Sequence, residues 1–598
     1  MMITSGSCGV RLAGPALSSA RRAAGVLAAL LLAVVPAARA DALFVRLDGS
    51  DRCDGRADRG GTRGACAFRS IARAVAVARC GDVIEIGEGA FGEEKIVVVR
   101  SCPADRPLTI RGSGRASTFW MAGLAEIDAS ACRAVPSGGW RCPLPPGARE
   151  QAGGFDCLVQ RRAARVRFRD ANGVHGDMAG PVCLTWTAPG GGLAAEGLAA
   201  LDGDGVLVRT WNDIAPEPAG LWFPRTGRYQ SGADGPVHVA GDGIEIRNLT
   251  IVSGAGNAVA LRGARNRLDT VDVYTGSVWV DRTARDAVLA HVAIRNNYRR
   301  PAGDVAEDAW GRMRSHSLSV LATGFMLLDV ETYASREGIG IAGASAGRID
   351  GLFAHGHHNH ALKFIDGAHD VTVRNTLVHN AQEPLFIECA HRLAFEHCTF
   401  PFGAVVVQEN PKIDCQPRVS DLDFRDSILC GISFFDRYGD TWAGGGHDLE
   451  RNVYLTDGDL CRRGGNFIKA AGRKFRSLAA WQEFADDPCR DCTRDRGSRT
   501  ERGDRTFVAF AWRDDTFGNA FDFDLRPESA AIDLGASARP GSYDIEHVRR
   551  TGAEDAGAYE GGQPAWAGRD DSLRLLAEPI FDEERREEDA TRRPPRER

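Results

Sequence analysis

The sequence predicts an all-β chain wound as a right-handed parallel β-helix. The leading observation is a repeat. The tetrapeptides NLTI, TVDV, HVAI, DVET, NTLV, HCTF and DSIL begin at Asn248, Thr270, His291, Asp329, Asn375, His397 and Asp426, and GLFA begins at Gly351. Most steps are 21 to 24 residues. Each unit also holds short runs of alternating apolar residues, such as GIEIRN, VTVRN and RLAFEH, then AVAL, GIGI and ALKF. Strands of period two repeated at such an interval describe a solenoid with one coil per unit. The third observation is composition: 70 Gly and only 6 Met in 598 residues suit turns and strands better than helical bundles. The fixed leucine pattern of leucine-rich repeats is absent, and a propeller blade needs about 40 residues.

The elements follow in order. Residues 1–40 read as a secretory signal peptide: Arg21 and Arg22, an apolar run from Ala23 to Val35 too short to span a membrane, and the small-residue site Ala38-Arg39-Ala40. The chain is therefore expected to be periplasmic or secreted, with no membrane segment after cleavage. Residues 41–115 hold a capping helix and the first coils. In SIARAVAVARCG, Ser70 is a good N-cap, Ile71, Val75 and Ala78 form one apolar face, and Gly81 stops the helix. Residues 116–235 show no coil register and carry four cysteines and many prolines, which reads as an inserted or elaborated region, with an antiparallel subdomain as the expected form. Residues 236–440 are the central coils, with an insertion at about 298–311. Residues 441–562 are the last coils and cap, and 563–598 are a charged tail expected to be disordered.

The formal net charge of −6 gives no basic bias, so a nucleic-acid partner is not expected. Fifteen cysteines follow the signal segment, and in an oxidising compartment Cys53/Cys66, Cys80/Cys102, Cys132/Cys142 and Cys157/Cys183 are plausible bridges. The odd count leaves at least one thiol unpaired. Cys489 and Cys492 form a lone CxxC, for which a disulfide outweighs zinc because no second ligand pair accompanies it.

The opening LFVRLDGSDRCDG…CAFRSIARAVAVARCGDVIEIGEGAFGE resembles the start of right-handed parallel β-helix repeat proteins of the pectate-lyase-like superfamily. FDFDLRPESAAIDLGA and DAGAYEGG are similar to that family's closing segments. The resemblance implies an exported protein acting on a polysaccharide in a groove along one wall, and a monomer is expected.

Register turns this fold into rough geometry, because equivalent positions stack about 4.8 Å apart. The column of Asn248, Thr270, His291, Asp329, Gly351, Asn375, His397 and Asp426 falls at a turn and reads as a structural ladder that satisfies turn backbone. A second column, His316, Glu337, His360 and Glu383, recurs at steps of 21, 23 and 23. Alternating imidazole and carboxylate on four coils is the candidate acid–base site. Leu318, Ile339, Leu362 and Leu385 point inward beside it, and Lys363 and Phe386 point outward. Arg336 flanks Glu337. His355 and His379 form a further pair beside Tyr333 and Arg295, while His357 and His358 are placed on a connecting loop.

Three readings compete. A lyase acting on a uronic-acid polymer needs a cation for the substrate carboxylate (Arg336 or calcium), a base for the C5 proton (His360 ahead of Lys363) and an acid for the leaving oxygen. An inverting hydrolase would use Glu337 and Glu383, two coils and roughly 9.6 Å apart. A non-catalytic carbohydrate-binding solenoid would instead display Trp279, Tyr333 and Phe386 along a wall. A plain ion ladder remains the structural alternative. A cofactor is not specified: zinc on His316, Glu337 and His360, or calcium on Glu337, Glu383 and Asp366, matches no motif.

Overall fold

Three strand faces stack coil on coil in a computed structural model of the chain. It describes residues 40–93, 95–145, 157–169, 175–186, 193, 197–210, 213, 215–218, 220–224, 234–254, 256–295, 316–333, 335, 337–409, 418–434, 446–457, 468–470, 473–485, 494–510, 519–520, 522–536, 542–550, 552–561 and 576–577. The signal segment, the 298–311 insertion, the CxxC and nearly all of the charged tail lie outside the described residues.

Each central coil begins with a bent strand. Ile244–Val252, Arg267–Tyr274, Val288–Arg295 and Met326–Tyr333 pair in parallel, each with the next. The bend separates a first face from a second, and a shorter strand then forms the third face: Asn257–Leu261, Ser277–Val280, His316–Val320 and Glu337–Ala342. In the next two coils all three faces join into single strands, Ser345–Ile365 and His369–Glu388. The result is a parallel β-helix in one 28-stranded sheet.

The bend is made by the ladder column. Asn248, Thr270, His291, Asp329, Gly351, Asn375, His397 and Asp426 all have φ between +47° and +77°. One left-handed residue turns a strand sharply without a loop, and Asn, Asp and Gly tolerate that conformation best. Asn248 donates to the Gly112 carbonyl, as a turn-satisfying ladder requires. Asn375 differs, because its amide meets the Asp350 carboxylate at 2.7 Å and accepts from Arg550 at 3.1 Å. A parallel column ahead of the first face (Arg265, Asp286, Gly324, Ala346, Asp370, Arg392, Asp421, Gly446) is also left-handed.

Inside, apolar side chains form one continuous stack. On the third face Val237, Val259, Val278, Leu318, Ile339, Leu362 and Leu385 are fully buried. Both ends of this core are closed by helices. The helix Ile71–Val77 has Ser70 as N-cap and buries Ile71, Ala74 and Val75. The Glu93 carboxylate from the first coil also accepts the Ile71 amide at 2.6 Å. At the far end Leu478–Ala485 inserts Trp481 and Phe484 into the same core.

The inserted region is an eight-stranded, mostly antiparallel sheet running from Leu124 to Pro224. It starts later than residue 116, because Thr118–Ala122 pairs in the β-helix with Gly89–Glu93 and Ile244–Val252. Disulfides join Cys53–Cys66, Cys80–Cys102 and Cys132–Cys142, and Cys183 is also disulfide-bonded. Cys398 is a free, buried thiol. The closing segment 542–561 does not extend the coils. It runs back along the bend column as a strap, where His547 meets Asp329, Arg550 meets Asn375, Glu554 meets His397 and the Gly557 amide meets the Asp426 carbonyl.

Candidate functional site

The His/Glu column stands where register places it, at the start of the third face. His316 pairs with Glu337, Ile339 with Leu362, and His360 with Glu383, so the four lie on successive coils. Their side chains form a continuous ladder. His316 Nε2 lies 2.7 Å from Glu337 Oε2, His360 Nδ1 lies 3.5 Å from Glu337 Oε1, and His360 Nε2 lies 2.9 Å from Glu383 Oε2. Lys363 Nζ joins at 3.7 Å from Glu337 Oε2, and Asn359 donates to Glu337 Oε1 at 3.5 Å. Glu337 is only 8% exposed, whereas His316 is 16% and Glu383 and Lys363 are each 19% exposed, so the ladder is closed at its centre and partly open at both ends.

Two charges follow from this packing. Burial alone would push the Glu337 carboxyl up, but hydrogen bonds from His316 and His360 and the charges of His316 and Lys363 outweigh it. Glu337 is held well below the usual carboxylate range. Burial also opposes a charge on His360, yet Glu337 and Glu383 together raise its pKa. Each ring nitrogen faces a carboxylate, Nε2 at 2.9 Å from Glu383 and Nδ1 at a longer 3.5 Å from Glu337, which favours the protonated ring. A carboxylate on either side makes His360 a better proton donor than acceptor, which weighs against the base role that the sequence ranks first.

The floor beside the ladder is the outward row Trp279, Ser319, Gly340, Lys363 and Phe386. Gly340 makes room for the ladder, since a Cβ there would lie 2.5 Å from the His316 ring. Phe386 is not an open platform: it is 8% exposed, with the His360 ring 4.5 Å away and Lys363 Nζ 5.3 Å from its centroid. Trp279 stands three coils, about 14 Å, from Lys363 and donates to Asp281 at 3.3 Å.

The second group lies at the end of the second face, where Arg295, Tyr333, His355 and His379 follow in register. Arg295 donates to both oxygens of Glu331 and to the Tyr274 hydroxyl. His355 Nε2 lies 3.3 Å from Glu331, with its ring stacked 4.7 Å from Tyr333. It is 2% exposed, which leaves almost no surface for a sugar, and burial keeps it neutral. Glu331 and Tyr274 are absent from the expected set. Glu331 was findable, because it sits two residues before Tyr333 and so on the same face. Arg336 and the side chain of His379 lie outside the described residues.

One placement is overturned. His357 is on no exposed loop: it lies in the strand Ser345–Ile365, fully buried, with its ring nitrogens on Ser335 and Thr332. The backbone of His358 is in the same strand. A string of polar residues looks like a loop in sequence, whereas here buried hydroxyls satisfy the imidazole.

Neither proposed metal fits. Both Glu337 oxygens already face cations, and the His360 ring fills the space between Glu337 and Glu383. Asp366 sits exposed at a turn beyond the strand. Among the described residues, no three His, Cys, Asp or Glu side chains are grouped to hold an ion.

With three parallel faces stacked in this way, the chain has a parallel β-helix fold, and its candidate site is a His/Glu/Lys ladder on the third face, buried at its centre. No protein-family model and no curated relative matches the sequence. Solved structures similar to it include pectate lyase Pel9A, at 10% identity over 87% of this chain and 96% of that one, with a TM-score of 0.41. The complex of XylC with xylose is 12% identical over 87% and 98%, with a TM-score of 0.42. An alginate lyase from a Paenibacillus species is 11% identical over 59% and 92%, with a TM-score of 0.30. At such identities no residue role transfers from them to this chain.

Proposed function

We propose that the protein is an exported enzyme that cleaves a uronic-acid polysaccharide by β-elimination at the ladder. The observation that carries this reading is His360, lying between the Glu337 and Glu383 carboxylates with the Lys363 amine near it on an outward, partly open face. Lys363, as free amine, takes the proton from C5 of the uronate. The electron pair forms the C4–C5 double bond as the C4–O bond breaks, and the His360 imidazolium protonates the leaving oxygen. Glu337 and Glu383 hold His360 between them, and after each turnover solvent takes the proton from Lys363 and returns one to His360. Arg336, next to Glu337 in sequence, is the proposed partner for the substrate carboxylate. Such groups are worth about 10²–10⁴ in rate each.

The inverting-hydrolase reading is weaker. It needs one protonated carboxyl, whereas Glu337 is held ionised, and it needs room for water where the imidazole lies. Export rests on the signal-like residues 1–40 and on disulfides suited to an oxidising compartment. No helix among the described residues is long and apolar enough to cross a membrane.

The test is to incubate the purified protein with a panel of acidic and neutral polysaccharides, reading unsaturated-uronate absorbance and reducing ends together. Both signals should rise in step on a uronic-acid polymer. Reducing ends without absorbance would indicate hydrolysis, and binding with neither would indicate a non-catalytic solenoid; either result overturns the proposal.

A further inference from the structure

The corner between the second and third faces contains a buried polar knot that no role above uses. Its centre is His357, which is fully buried. Nδ1 lies 2.9 Å from Ser335 Oγ, and Nε2 lies 3.1 Å from the Thr332 hydroxyl and 3.2 Å from the Thr332 carbonyl. Ser335 Oγ in turn donates to the backbone carbonyl of Glu337 and accepts from Ser317 Oγ at 2.8 Å.

Donor counting at Ser335 favours one arrangement of the knot. Ser335 has one hydroxyl proton, and the Glu337 carbonyl takes it. Its two acceptor positions are then filled by Ser317 and by His357 Nδ1–H, so the ring carries its proton on Nδ1. The unprotonated Nε2 accepts from the Thr332 hydroxyl. This tautomer satisfies the Ser335 hydroxyl and Nδ1 and lets Nε2 accept from the Thr332 hydroxyl, while the opposite tautomer would instead donate from Nε2 to the Thr332 carbonyl; in both, the ring bridges Thr332 and Ser335. Burial pushes the pKa of His357 down to about 3, so the ring stays neutral and the pattern holds through ordinary pH.

The backbone is shaped for this ring. Gly338, directly after Glu337, leaves the space: a Cβ there would lie 2.8 Å from His357 Nε2. His357 therefore ties Thr332, before Tyr333, to Ser335 and through it to the main chain of Glu337. Glu337 is the residue on which His316, His360 and Lys363 all converge.

We propose that His357 is a positioning residue: it pins the turn between Tyr333 and Glu337 from inside the solenoid and thereby sets the Glu337 carboxylate at the centre of the ladder. The inference rests on the proposed function only where it calls that ladder catalytic. The positioning itself has a readout that needs no substrate, the titration of His360.

The groups facing His360 are Glu337, Glu383 and the Phe386 ring, with Lys363 on the far side of Glu337. In histidine-labelled full-length protein, with the His360 signal assigned from a His360→Gln variant, the imidazole should titrate above the ordinary value of about 6.5. His357→Leu should remove that upward shift while the protein stays folded by circular dichroism. His357→Asn places an amide donor where Nδ1 stands and should keep the shift. His357→Gln places its amide where Nε2 stands and should not. A folded Leu variant with an unchanged His360 titration would overturn the proposal, and so would a Gln variant that keeps the shift while Asn loses it. Should the Leu variant not fold, the Asn and Gln pair decides. On any polymer the wild type cleaves, His357→Gln should lower kcat with KM nearly unchanged. If the wild type cleaves nothing, the proposed function fails, while the titration still decides the positioning.

Discussion

Replacing Glu337 by Gln removes the charge at the centre of the ladder while keeping its shape. Glu337 is 8% exposed and touches His316 at 2.7 Å, His360 at 3.5 Å and Lys363 at 3.7 Å. Breaking a buried pair by neutralising one partner costs about 3–5 kcal/mol, because the other charge stays behind unpaired. Here the His360 imidazole can escape by losing its proton and Lys363 is partly solvated, so about 3 kcal/mol is expected near pH 6. The pH dependence has a definite sign. The Glu337 pKa is lowered by folding, so its contribution is present above the unfolded carboxyl value, about 4.3, and is lost as pH falls through the folded value. The His360 pKa is raised by folding, so its contribution is complete below about 6.5 and is lost as pH rises through the folded value. The gap between wild type and Glu337→Gln should therefore be widest between about pH 4.3 and 6.5 and shrink on both sides. Urea midpoints measured at pH 3, 6 and 9 provide the assay. Equal midpoints at pH 6, or a gap that grows toward pH 9, would refute the ladder as described.

Two further substitutions probe how the site is built and held. Gly340→Ala puts a methyl group 2.5 Å from the His316 ring, so His316 should leave Glu337 and turnover should fall by about 10²-fold, the cost of a displacement near 1 Å; full activity would mean that His316 has no part. Arg550, with no exposed side-chain surface, holds the strap to Asn375 and pairs with Glu560 within it, so Arg550→Met should lower stability by about 3–5 kcal/mol, read as a lower melting temperature, and an unchanged melt would mean that the strap is not anchored there.

Much of the fold was legible because the coil period appears directly in the residues. Short apolar alternations and a turn residue every 21 to 24 positions fixed the stacking. With it came the inward row from Leu318 to Leu385 and the His316–Glu337–His360–Glu383 column. The second left-handed column was not legible, since Arg265, Asp286 and Ala346 share no side-chain chemistry and only the backbone unites them. The strap was hidden because its contacts, such as His397 with Glu554, join residues 157 positions apart with no repeat to align them. Within the site, register showed which residues are neighbours but not which atoms meet. It placed His360 beside two carboxylates without revealing how closely each approaches the ring, and that geometry favours Lys363 as the base of the proposed reaction. His357 was misplaced for a related reason, because a buried imidazole and a solvated one look alike until Thr332 and Ser335 are seen around it.

The central claim is that Lys363 removes the C5 proton in an elimination that His360 completes. Its most direct test is the initial rate of unsaturated-uronate absorbance for Lys363→Met against wild type, on a polymer the wild type cleaves, with both proteins shown to melt alike. The rate should fall by about 10²–10⁴. A Lys363→Met protein that produces the unsaturated product at close to the wild-type rate would contradict the account.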